Sequence, residues 1–193
     1  GHSIGGFLPG LAQGFDRCAA MISVAAHFAY WRDYERSARL RLVLRWHLIM
    51  PFMTALMGYF PGRRLGWLED LPAGVAYEWA FRGPRVERSF PPEERDEILR
   101  RLAAFQGPLL AITTTDDPYG APRAIDRALA YYTGAERSRL VLSPQDLGVV
   151  HVGHFDLFHA RHRHTFWQAT AGWLESGGRN WRLPQSAAEP LPA

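Results

Sequence analysis

The chain opens on Gly1-His2-Ser3-Ile4-Gly5-Gly6, a serine with a glycine two positions away on either side. This G-x-S-x-G spacing suits a sharp strand-to-helix turn that exposes a serine hydroxyl, the arrangement of a nucleophile elbow. Gly1 and Gly5 are expected to keep such a turn sterically possible, because side chains there would collide with the neighbouring strand and helix. The backbone N–H of Ile4, at the start of the helix, is placed to donate to the oxygen of an attacked carbonyl. A second donor is expected from a loop upstream of residue 1. A serine hydroxyl needs a base, and the base needs an orienting acid. The acid candidates are Asp116 and Asp117 in Thr113-Thr114-Thr115-Asp116-Asp117-Pro118. The base candidates are His151 and His154 in His151-Val152-Gly153-His154-Phe155, with Gly153 allowing a close loop approach. Serine, acid and histidine then occur in the order in which a strand-end triad is assembled in an open parallel sheet.

The elements that must hold these groups alternate. Residues 1–13 read as a Gly-rich turn followed by a short helix, and the apolar run Cys18–Ala26 as a buried parallel strand. Residues 91–105 open with Pro and acids and close with arginines, the charge order that a helix dipole favours. A strand is expected over 108–114, a helix over 122–133, a strand over 139–143 and a closing helix over 162–175. Strands alternating with helices predict an α/β fold with a parallel sheet. Asp117 then emerges from the end of one strand, and His154 from the loop after the last. Residues 30–90 differ: they are aromatic-rich, helical in pattern and broken by Pro51, Pro61, Pro72 and Pro84, as in an inserted lid. Most of the lid aromatics are expected to pack lid against body. The span 42–60 is apolar, but Arg45 and His47 interrupt it and Pro51 should kink it, so buried lid helices are expected rather than a stable membrane span. Periodicity fades after residue 175, and 176–193 reads as a disordered tail behind a domain over 1–175.

Composition narrows the function classes. Length and 47% hydrophobic content suit one globular domain. All 22 basic residues are arginine, but they alternate with the 19 acids, as in Arg32-Asp33-Tyr34-Glu35-Arg36, so no nucleic-acid footprint is expected. Cys18, the single cysteine, cannot form an internal disulfide, and in an apolar run it is expected to act as a small hydrophobe in a reducing, cytoplasmic setting. Five histidines fall between 151 and 164, yet His159, His162 and His164 sit among arginines in an expectedly exposed helix without a carboxylate at ligand spacing. Neither a metal nor another cofactor is expected.

From GHSIGG through TTTDDPYGAP to HVGHFDLF the chain resembles the α/β-hydrolase superfamily. The lid segments YWRDYERSARLRL, MPFMTALMGYFPGRRLG and EDLPAGVAYEWAF also look like those of a bacterial group within it. The acid turn resembles the family's Gly-x-x-Asp turn with Thr114 in place of the glycine, and that register assigns the triad acid to Asp117. The resemblance implies a serine hydrolase acting on an ester, thioester or similar acyl bond of a small molecule, without a cofactor. In the implied mechanism Ser3 attacks, His154 moves the proton, Asp117 orients His154 and Ile4 N–H stabilises the oxyanion. Two other readings are a non-catalytic binding scaffold and an acyltransferase. Family members carry several strands before the elbow, so the sequence is expected to be the C-terminal part of the fold. Alone it should be inactive and aggregation-prone, with an apolar sheet edge exposed.

Overall fold

The computed structural model describes residues 1–67 and 69–184. At its centre lies β4 (Pro108–Thr114), buried along nearly its whole length, as expected for the middle strand of a parallel sheet. Its neighbours are both parallel: β1 (Met21–Val24) aligns Met21 with Leu109, and β5 (Glu136–Leu142) aligns Glu136 with Pro108. The sheet order is β1-β4-β5. Side chains alternate across β4. Leu109 and Ala111 enter one core with Phe7, Met21, Phe28 and Phe105, under α4 (Arg95–Ala104) and α5 (Pro122–Leu129). Leu110 and Ile112 enter the other, with Phe166 and with Trp173 of α6 (Gln168–Glu175). The molecule is therefore α/β, a parallel sheet covered by helices on both faces.

Local details depart from expectation for traceable reasons. The first strand starts at Met21, so Cys18 lies in the turn before it and is exposed rather than packed as a hydrophobe. After Ser3 the chain forms two 3-10 turns, Ser3–Gly6 and Leu8–Leu11, where an ordinary short helix was expected. Gly5, Gly6 and Gly10 are poor helix formers and Pro9 removes a donor. β5 begins three residues early, at Glu136, because its pairing with β4 extends to Pro108. Glu136, Arg137, Ser138 and Arg139 along it are exposed, a charged edge that discourages further pairing. The opposite edge is apolar: Ile22, Val24, Phe158, Phe166 and Trp167 line an open cleft of about 390 Å³ beside Gly1 and His2.

The lid is a third core. The helix Arg36–Met57 is continuous, with α1 (Arg36–Val43) and α2 (Met50–Met57) joined by a π turn over Leu44–Ile49. Pro51 does not break it, since the π turn just before it is a place where a helix absorbs a missing N–H. A two-residue hairpin of β2 (Tyr59–Phe60) and β3 (Leu71–Pro72) and the helix α3 (Ala73–Ala80) close the core around Trp46, Met50 and Phe60. The expectation of buried lid helices holds only for the inner face of Arg36–Met57, because Leu40, Leu48, Phe52 and Leu56 on its outer side are exposed. Two anchors join lid and body. Buried Asp33 receives Arg127 Nε at 2.6 Å and a second guanidinium N–H at 2.7 Å. Tyr131 Oη donates to Glu87 at 2.9 Å and accepts from Val86 N–H at 3.0 Å. Of the expected tail, Trp181 and Leu183 pack partly against the second core, and residues 185–193 lie outside the described residues.

Candidate active site

Gly1 and His2 run parallel beside β1. Val24 N–H donates to Gly1 O at 2.8 Å, the Gly1 amine donates to Ile22 O at 2.8 Å, and His2 bridges Val24. His2 is extended, and the backbone reverses at Ser3, whose φ of 51° lies in the left-handed region. A non-glycine residue held there is strained, and such strain concentrates at functional turns. Ile4 follows in the first turn of the 3-10 helix, where backbone N–H groups have no intrahelical acceptor. The glycines divide the work differently from expectation. A Cβ at Gly1 would sit 2.4 Å from Gly5 O, so Gly1 is required. A Cβ at Gly5 would touch nothing, which corrects the role assigned to it. The tight position is Gly6, whose Cβ would lie 2.7 Å from the Ala26 Cβ and 2.9 Å from Gly1 O.

The structure separates the two acids. Asp117 Oδ2 accepts from His154 Nδ1 at 2.8 Å, with only 1% and 6% of the two side chains exposed. Its other oxygen accepts from Tyr119 N–H at 2.8 Å. Burial opposes ionisation of Asp117, but the hydrogen bond and charge of His154 and the N–H groups of Gly120 and Tyr119 outweigh it and hold the carboxyl below its ordinary range. Asp116 does something else: its oxygens accept from Val152 N–H at 2.8 Å and Gly153 N–H at 3.1 Å, clamping the histidine loop. Thr114, in place of the glycine, holds the same loop by donating to Gly153 O at 3.2 Å. Gly153 itself has φ of 63°. His151 is exposed and pairs with Asp116, so the buried base candidate is His154. With Nδ1 donating to a carboxylate, the neutral ring of His154 leaves Nε2 as the acceptor of a proton. Ser3 Oγ and His154 form no hydrogen bond among the described residues.

Three further residues at the site carried little or no sequence signal. His2 Nε2 donates to His154 O at 2.8 Å and its ring lies 4.5 Å from that of His154. Burial and the neighbouring His154 hold His2 below the usual histidine range. Buried His27 sits just past the end of β1 and donates from Nδ1 to Ala25 O at 2.9 Å; desolvation lowers it to about 4. Its position at a strand's carboxyl end was a usable clue. Tyr119 packs edge-on to His154 at 5.3 Å and also lines a small lid cavity with Trp46, Trp67 and Trp79.

Of the histidines further on, His159 and His164 are exposed as expected and His162 is not. His162 is buried, not exposed, and a carboxylate does meet it: Asp156 lies 2.6 Å from His162 and 3.1 Å from His159, and it also pairs with Arg161. The arginine supplies the positive charge there, and no cluster of three metal-ligating side chains occurs among the described residues.

No family model and no curated protein matches the chain. Among solved structures it is similar to the monoacylglycerol lipase of Paleococcus ferrophilus, with a TM-score of 0.47 and 12% identity over 92% of this chain and 67% of that one. It is also similar to a thioesterase domain from the curacin biosynthetic pathway, with a TM-score of 0.32 and 17% identity over 74% of this chain and 59% of that one. Both are of the α/β-hydrolase fold. The chain thus spans about two thirds or less of their lengths.

Proposed function

We propose that the chain carries the triad of a serine hydrolase that cleaves an ester, thioester or similar acyl bond, in an α/β-hydrolase framework. The observation that carries this reading is the buried Asp117–His154 bond, to which the turn of Ser3 at φ 51° is tied through His2, whose Nε2 donates to His154 O at 2.8 Å. In the proposed reaction His154 Nε2 takes the Ser3 hydroxyl proton as Oγ bonds to the acyl carbon, and Ile4 N–H receives the resulting oxyanion. The protonated His154 returns the proton to the leaving alcohol or thiol as its bond to the acyl carbon breaks. Water, deprotonated by His154, then attacks the acyl-serine, and Ser3 leaves with the proton back on its oxygen. Asp117 holds the imidazole tautomer throughout. Labelling of the full-length gene product by a fluorophosphonate, lost in Ser3→Ala, is the expected result; an unlabelled wild-type protein refutes the reading.

The lack of a Ser3–His154 hydrogen bond favours a second reading, a scaffold that binds acyl ligands without cleaving them. Ligand-free sites often hold this bond open until substrate arrives, so the buried acid–base pair weighs more. The same labelling experiment separates the two.

A further inference from the structure

The helix Arg36–Met57 is apolar on two opposite faces. Leu42, Trp46, Met50 and Thr54, four residues apart, are buried against the lid core. Leu40, Leu44, Leu48, Phe52 and Leu56, offset by two residues, form a second stripe exposed by 44 to 71%. The sixteen residue steps from Leu40 to Leu56 make this stripe about 24 Å long. Four-residue spacing in an α-helix drifts around the axis, and the wider π turn at Leu44–Ile49 drifts the other way, which keeps the stripe on one side. With the inner stripe already packed in a core, an exposed apolar run of this length on the outer side marks an interaction surface.

Charge points to the occupant. Between Glu35 and Glu69 the sequence has six arginines and no acid. Arg36 and Arg41 are exposed at the start of the helix, and Arg64 is exposed beyond its end. A second copy pressed stripe to stripe would set these arginines against each other, because the segment offers no carboxylate. A surface that is apolar inside and anionic at its rim satisfies both features. We infer that this face docks, with the helix lying flat, on an anionic phospholipid bilayer. A span is disfavoured by the buried inner face, which already belongs to the lid core. The docked helix roofs the lid cavity whose wall includes Tyr119, so lipid would lie close to His154.

The test is flotation of the full-length gene product with vesicles of phosphatidylglycerol and phosphatidylcholine, against phosphatidylcholine alone. Binding to the anionic vesicles is expected, reduced by high salt and by Arg36→Glu with Arg41→Glu. It should fall at least ~10-fold in Leu48→Gln with Phe52→Gln, whose side chains leave the folded core untouched as judged by an unchanged circular dichroism melt. Ser3→Ala should float like wild type, so that loss of hydrolase chemistry and loss of docking are told apart. Wild-type protein that remains in the dense fraction, or a double variant that binds as well as wild type, overturns the inference. So does a vesicle-free dimer that the double variant dissolves, which would make the occupant a second copy. Resistance to alkaline carbonate extraction also overturns it, by showing a span.

Discussion

Two adjacent carboxylates, Asp116 and Asp117, have separate jobs, and substitution should separate them. Asp117 faces His154 in a nearly dry contact. Asp117→Asn keeps the shape but lets the amide favour the wrong imidazole tautomer, so a fall in kcat of about 10⁴-fold with little change in KM is expected. Asp116 meets the loop's backbone, the Thr114 hydroxyl and exposed His151, and not His154. Asp116→Asn weakens two charge-assisted bonds and is expected to lower stability by about 1–2 kcal/mol with a much smaller loss of kcat. Ester-hydrolysis kinetics and thermal melts on both variants check the pair; equal kinetic damage would contradict the division. Spacing alone left Asp116 and Asp117 open and the family-like register favoured Asp117; the contacts that separate them come from partners 36 and 37 residues away.

The turn at Ser3 is held from two sides. Gly6 lets the first turn press on Ala26 beyond β1, while Tyr132 Oη donates to Phe7 O at 2.6 Å from the other side. Gly6→Ala therefore forces a 2.7 Å contact against a fixed methyl and is expected to cost about 1–3 kcal/mol, whereas Gly5→Ala should be nearly neutral. Denaturant midpoints of the two variants measure the difference, and a larger effect at Gly5 would show that the packing is misread. Spacing pointed to Gly5 because a motif records chain position alone. The need at Gly6 comes from a neighbour twenty residues on. Strand and helix order was legible because apolar runs and charge order are local. The uninterrupted helix across Pro51 was not, because the π turn that tolerates the proline depends on the lid packed beneath it.

At the scale of the whole molecule, the candidate site gathers the histidines His2, His27 and His154, and its stability should be acid-sensitive. His27 is buried, its ring 6.4 Å from those of Tyr34 and His154, and desolvation lowers it from 6.5 to about 4. Between those values the unfolded chain binds a proton at His27 that the folded chain does not, so stability falls as pH drops from 6.5 toward 4. The full effect is about 3 kcal/mol. Asp117, held low in the folded state, adds stability that is present above its unfolded pKa and is lost on further acidification. Urea midpoints from pH 7 to 4.5 should fall steeply in wild type and more gently in His27→Gln; parallel curves would remove His27 as the cause. By itself the sequence determined the alternating α/β order, the serine turn and the chain order of serine, acid and base, because these follow from near-neighbour spacing and local backbone chemistry. The resemblance had already paired Asp117 with His154, and the tertiary structure added that they meet in a buried bond, that Gly6 carries the tight contact and that a helix of residues 36–57 keeps an apolar face outside. Burial and partner choice depend on residues that meet only when the sheet, the loops and the lid are assembled.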